Sequence, residues 1–334
     1  MSMRVRNSMI LAGAALVAFS SSVRAQCATT GTTADACRKT TDLFNFLTPQ
    51  ISTALVGGST TLGQGGVIGG FPHFTIALRG TAVRGTFPKF ENVGFNTSSA
   101  QATSYPGEDQ FIPMASIDGA LGIYKGFPLG VTRVGGVDAL MTATYIPTAP
   151  EGGGVTVSLP GGSTKFGYGL RVGLLQESIL VPGVSFSWVK RALPTISVAG
   201  QSNVSAGGSS APGEFAMNNL DIKTSSWRFS ASKSFMAFGL QAGFGQDKYD
   251  NSANLQVTVR PQAPFPTQTT SVDVSNGMTR TNIYAGFSLN FIIGRLVAEV
   301  GQVSGGSLPA AINTFGSDAA TSRGYFSVGL RTGF

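Results

Sequence analysis

Three features of the sequence predict an all-β chain closed into a transmembrane antiparallel β-barrel of about ten strands. Short segments alternate apolar residues with small or polar ones at a period of two, the pattern of strands with two unlike faces. Charged residues make up only 12% of the chain, against the ~25% usual in soluble domains. After the first 25 residues no apolar run approaches the ~18 residues of a spanning helix. A membrane chain without helical spans has to close its strands on themselves, because lipid offers no partner to an unpaired backbone group. Glycine is abundant at 45 residues, and the hydrophobic share of 42% is unremarkable.

The two chain ends refine this expectation. Arg4 and Arg6 form a basic start, Ile10–Phe19 a short apolar core, and Val23 and Ala25 occupy the small-residue positions before Gln26. This predicts a cleaved secretory signal over residues 1–25, too short to span a membrane. Cys27 raises a lipoprotein signal as a rival, but Arg24, Ala25 and Gln26 are the wrong residues before a lipidated cysteine. At the other end Phe326, Val328, Leu330, Thr332 and Phe334 share one parity, and small or polar residues hold the other. A soluble chain seldom ends on such a strand, because termini fray. The stretch resembles the C-terminal strand of bacterial outer-membrane β-barrels. That resemblance implies a location in the outer membrane, outer-membrane lipid as surroundings, and assembly machinery that reads Phe326, Val328, Leu330 and Phe334.

Without the signal the chain carries 20 basic and 16 acidic residues, a net charge of +4. No lysine or arginine run is present, so nucleic acid is a poor partner. Cys27 and Cys37 are expected to form a disulfide in the oxidising periplasm, as a structural staple rather than a redox site. One histidine is too few for a zinc set, and no metal or cofactor is expected.

Residues 26–70 read as a separate N-terminal segment, either a periplasmic piece or a plug, ahead of a barrel over residues 71–334. Ala34–Leu47 has helical character, with Leu43, Phe44, Phe46 and Leu47 clustered and Asp35 in the first turn. Pro49 is expected to interrupt it, with a short helix resuming over Ile51–Val56. Gly57–Gly70 is glycine-rich and uncharged and lacks a phosphate-loop pattern, which makes it a connector or plug.

From Phe71 onward ten alternating segments follow: His73–Arg84, Pro113–Tyr124, Arg133–Ile146, Lys165–Gln176, Gly183–Lys190, Leu220–Ser232, Met236–Asp247, Thr279–Phe291, Arg295–Val303 and Arg323–Phe334. Most approach the ~9–11 residues of a tilted membrane strand. Gly154–Leu159 and Leu255–Arg260 are also strand-like and would raise the count to twelve. The connections alternate short and long. Outer-membrane barrels keep short turns in the periplasm and long loops outside, and counting back from a periplasmic C-terminus puts every long loop outside.

The charges near strand middles share the parity opposite the apolar residues: Arg79, Asp118, Asp138, Arg171, Arg228, Glu299 and Arg331. They are the candidate lumen lining. Four basic against three acidic groups favours pairing across a filled interior over a selectivity filter, since an unpaired buried charge costs several kcal/mol. Phe74, Phe166, Trp188, Trp227, Phe244, Phe291 and Phe334 read as interfacial girdles on the lipid face. An enzyme is not expected. His73, the lone histidine, falls at the periplasmic end, whereas ten-stranded outer-membrane proteases place their site at the outer rim, and it lacks the lipid-facing His–Ser pair of outer-membrane phospholipases.

A segment before the first strand resembles, in layout, the N-terminal hatch of long-chain fatty-acid and aromatic-hydrocarbon transporters. That resemblance implies a narrow or plugged passive channel for small, including hydrophobic, solutes. The alternative is a closed structural or adhesive barrel that works through its five long loops.

Overall fold

The computed structural model describes residues 27–88, 94–96, 98–147, 155–206, 209–260 and 266–333. The signal segment and Phe334 lie outside the described residues.

Ten strands form one ring: β1 (Phe74–Pro88), β2 (Gly107–Tyr124), β3 (Gly136–Tyr145), β4 (Thr164–Leu175), β5 (Gly183–Ala192), β6 (Ser209–Ser234), β7 (Phe238–Val259), β8 (Gln268–Phe291), β9 (Gly294–Ser304) and β10 (Arg323–Gly333). Each pairs antiparallel with its neighbours in sequence. The ring closes where β10 pairs with β1, from Thr75↔Gly333 to Val83↔Tyr325. The extra strand-like stretches do not enter it. Leu255–Val259 prolongs β7, and Val155–Ser158 pairs with Ile196–Ala206, a strand that folds back on β6.

The period-two pattern decides which face goes where. Ile76, Leu78, Ile117, Leu170, Leu240, Phe287 and Leu330 are exposed on the outside, while their opposite-parity neighbours Arg79, Asp118 and Arg171 are buried. At roughly 25 cal/mol per Å² such an apolar belt is costly in water and at rest in lipid. Aromatics concentrate on one arc of it: Phe186, Trp227, Phe229 and Phe244 form a cluster with ring centroids 5.1–6.4 Å apart.

The three longest strands run to about twice what a bilayer requires. β6, β7 and β8 have 26, 22 and 24 residues, against the ~9–11 of a tilted membrane strand. Their surplus stands beyond the barrel at the long-loop end and continues into the Ile196–Ala206 and Val155–Ser158 strands.

The lumen is filled by the chain's own N-terminus. One helix, α1 (Ala34–Val56), stands inside the ring, and most of its residues are buried, polar ones included. The sequence reading breaks this helix at Pro49, but it runs through. A proline in a helix interior costs about 3 kcal/mol. Here the wall buries most of the helix, which offsets that local cost, and the buried hydroxyls of Thr48, Ser52 and Thr53 find acceptors in Phe44 O, Thr48 O and Pro49 O, each at 2.8 Å.

The direction of this segment follows from its partners. Near its start the Thr33 Oγ1 lies 2.6 Å from Thr270 Oγ1 in the β7–β8 hairpin. Asp35 accepts from the backbone N–H of Asn96 and Gln101, and Asp42 from those of Ile312 and Asn313, all in long connections. After the helix, Gly65 lies against Ser232 and Gly183, and Gly70 against Lys125, beside the short turns. The chain therefore enters the barrel at the long-loop end, descends through it, and emerges at the short-turn end to begin β1.

Candidate functional site

The contact between residues 55–70 and the wall is the site with the most unusual chemistry. A helix leaves its last carbonyls without intrahelical partners, and its dipole places partial negative charge there. At the C-terminus of α1 three buried arginines of the wall converge on that end. Arg228 Nη2 donates to Val56 O at 2.6 Å and its Nη1 to Gly58 O at 3.1 Å. Arg191 Nη1 donates to Val56 O at 3.0 Å, and its Nη2 to Gly58 O at 3.3 Å and Thr60 Oγ1 at 2.6 Å. Arg79 donates to the Gly57 carbonyl, which also accepts from Thr81 Oγ1 at 3.1 Å.

Residues 57–70 have no regular secondary structure, so their backbone groups need partners from elsewhere. Wall side chains supply them. Ser59 N–H donates to Glu299 at 3.3 Å, Gly63 N–H to Gln241 at 2.7 Å, Gly65 N–H to Ser232 at 2.7 Å, and Ile68 N–H to Asp138 at 3.2 Å. In return Leu62 O accepts from Arg331 at 2.6 Å, Gln64 O from Arg171 at 3.3 Å and Val67 O from Gln176 at 2.9 Å. The fit is close. A Cβ on Gly65 would lie 2.4 Å from Ser232 N, and Gly58, at φ +80°, would meet Ser327 Oγ at 2.6 Å.

All seven charged residues singled out in the sequence are buried here. Arg79 and Asp118 pair at 2.7 Å, Arg171 and Asp138 at 2.6 Å, and Arg228 pairs with Asp247 at 3.5 Å. Glu299 accepts from Tyr325 OH at 3.1 Å, and Arg331 serves the plug. The near balance of charge expected from the sequence is not what the wall presents. Arg191, Asp247, Arg280 and Arg323 are buried as well, giving seven arginines against four carboxylates among the described wall residues. The parity signal was present at all four positions. Arg191 lies one residue past its expected strand, Asp247 ends its own and Arg280 is the second residue of its own, and these three strands run on.

Cys27 and Cys37 are joined, closing a short loop at the outer end of α1. Asp42, one helical turn and more along, accepts from Asn313 Nδ2 at 2.8 Å, and Phe46 packs on Phe315 with centroids 5.1 Å apart. At the rim, Thr86 and Arg84 bond the exposed Asp109 and hold its carboxyl below the usual carboxylate range. His73 is exposed, with Nδ1 2.9 Å from Gly70 O. Phe326, Val328 and Leu330 lie on the outward face of β10, exposed. The described residues hold no group of three or more potential metal ligands.

Solved barrels are similar to this chain at low levels. The Pseudomonas putida toluene transporter TodX has 11% identity and a TM-score of 0.30, over 84% of this chain and 92% of its own. The monoaromatic hydrocarbon channel CymD has 11% identity and a TM-score of 0.29, over 87% and 98%. The transport unit of the autotransporter AIDA-I from Escherichia coli has 7% identity and a TM-score of 0.28, over 87% and 98%. Likeness at this level does not extend to function. No protein-family model matches the chain, and no curated protein matches its sequence.

Proposed function

We propose that this chain is an outer-membrane passive channel kept shut by its own N-terminal segment, which withdraws to let small solutes through. The observation that supports this is how residues 55–70 are held. An extended, glycine-rich strip is bonded down the lumen almost entirely by side-chain to backbone hydrogen bonds. Each such bond has a modest net value, about 1 kcal/mol between neutral groups and about 1.5–3 kcal/mol where one partner is charged, because water satisfies the same groups once the contact opens. Only four apolar side chains of this strip, Leu55, Val56, Leu62 and Val67, are buried with it, so little apolar surface opposes its release. The charged lining of the lower lumen favours a polar solute over an apolar one.

The test is solute efflux from proteoliposomes. Wild-type protein is expected to be nearly impermeant, and Arg191→Ala with Arg228→Ala, which strips the collar from the helix end, to release small solutes faster. Equal efflux from the two would count against a gating role for the segment.

A specific feature also favours the second reading, a surface barrel acting through its loops. The projecting parts of β6, β7 and β8 and the Ile196–Ala206 strand build a sheet outside the ring, with a cleft of about 290 Å³ lined by Gln201, Glu214, Phe215 and Thr258. Loss of binding to a surface or cell on shortening the β7–β8 hairpin, with efflux unchanged, would select this reading.

A further inference from the structure

We infer that the solute admitted by this channel is a small anion, one carrying carboxylate, phosphate or a like oxyanion. The inference rests on the plugged-channel reading and names the substrate class of the same lumen. Three wall arginines are neutralised by the ion pairs with Asp118, Asp138 and Asp247. Four more buried arginines, Arg191, Arg280, Arg323 and Arg331, have no carboxylate within ion-pair distance among the described residues. Glu299, the remaining buried wall carboxylate, is occupied by Ser59 N–H and Tyr325 OH.

The partners of these four guanidinium groups are neutral oxygens, backbone carbonyls and the Thr60 hydroxyl. Arg191 and Arg331 bond the plug, at Val56 O, Gly58 O and Leu62 O. Arg280 bonds Ala320 O at 3.0 Å and Thr321 O at 2.8 Å in the last long loop, and among the described residues Arg323 reaches only Arg84 O, at 3.4 Å. Further N–H groups are left over: Nε and Nη1 of Arg280 and Nε and Nη2 of Arg323 are buried without an acceptor among the described residues. A guanidinium bonds an oxyanion in a charge-assisted, often bidentate way, about twice as strongly as a neutral acceptor.

The four are also strung along the route. Arg323 opens β10 at the long-loop end and Arg331 closes it at the short-turn end, Arg280 pairs in register with Asp247, and Arg191 stands at the end of the plug helix. Withdrawal of the plug strips Arg191 and Arg331 of their acceptors and leaves a passage with arginine in excess throughout. Pores ringed by arginine or lysine select anions. An oxyanion that reaches Arg191 also competes with the plug carbonyls for the same N–H groups, so the solute favours its own opening.

The experiment uses the full chain with Gly65→Leu, whose side chain has no room between plug and wall. Its reversal potential in a potassium chloride gradient is expected to move toward the chloride equilibrium potential. Adding Arg191→Gln and Arg331→Gln is expected to bring it back toward zero. A shift toward the potassium potential, or no preference, would overturn the inference while leaving the plug reading intact. Silence of Gly65→Leu would overturn the plug reading, and a second measurement then decides the anion question. Ser59→Cys in the otherwise native chain carries its one free thiol on the plug, since Cys27 and Cys37 are joined. Its reaction with a soluble maleimide is expected to be faster in phosphate than in chloride of equal ionic strength, and equal rates would refute anion binding at the collar.

Discussion

Arg79 and Arg84 lie on the same strand and have opposite surroundings. Arg79 points inward, is buried with Asp118, and also bonds the plug. Arg84 points outward and meets Asp109 in the open. Removing one partner of a buried pair leaves the other charge without compensation, at a cost of about 3–5 kcal/mol. Asp118→Ala is therefore expected to lower the thermal transition in detergent markedly, read by circular dichroism, and Asp109→Ala to leave it within error. The Asp109 contact also has a pH sense. Its folded carboxyl titrates below the ordinary value, so whatever stability it contributes is full above the unfolded value and is lost as the pH falls through the lower folded one. Arg79 and Asp118 were legible from parity alone, because a strand alternates whatever surrounds it. Their bonds to Gly57 and to each other were not, because parity names a face and no partner.

At the scale of elements, α1 ties the plug to the outer loops. Asp35 holds Asn96 and Gln101 and Asp42 holds Ile312 and Asn313, in each case through backbone N–H groups. Hydrogen bonds to a charged acceptor contribute about 1.5–3 kcal/mol. Asp42→Ala is expected to speed hydrogen exchange at Ile312 and Asn313 by about tenfold or more, with exchange at Asn96 unchanged. Equal protection in the variant would mean that the loop holds itself. The helix is also where sequence reasoning met its limit. Ala34–Leu47 was readable from its apolar cluster and first-turn aspartate. The break at Pro49 followed from a local rule that packing inside the ring overrides. The sequence places Arg191 in a loop because the alternation ends at Lys190, two residues before β5 does, at the outward lysine that lies 5.4 Å from the Trp188 ring.

At the scale of the whole molecule, the ring of ten strands was readable because strand, turn and parity are local signals, and each strand pairs with its sequence neighbours. The path of the N-terminus was not, because it depends on contacts between residues far apart, such as Thr33 with Thr270 and Leu62 with Arg331. That path has a consequence for topology. With the long loops outside the cell, the chain around Cys27 lies at the outer mouth. A short tag placed before Cys27 is expected to be reached by an antibody on intact cells, and labelling only after the outer membrane is broken would contradict the threading. Whether the segment shuts the lumen is read out by single-channel conductance of the full chain beside Gly65→Leu in a planar bilayer. Near-silence of the wild type with steady conductance of the variant is the expected result. Equal conductance in both, or silence in both, would contradict it.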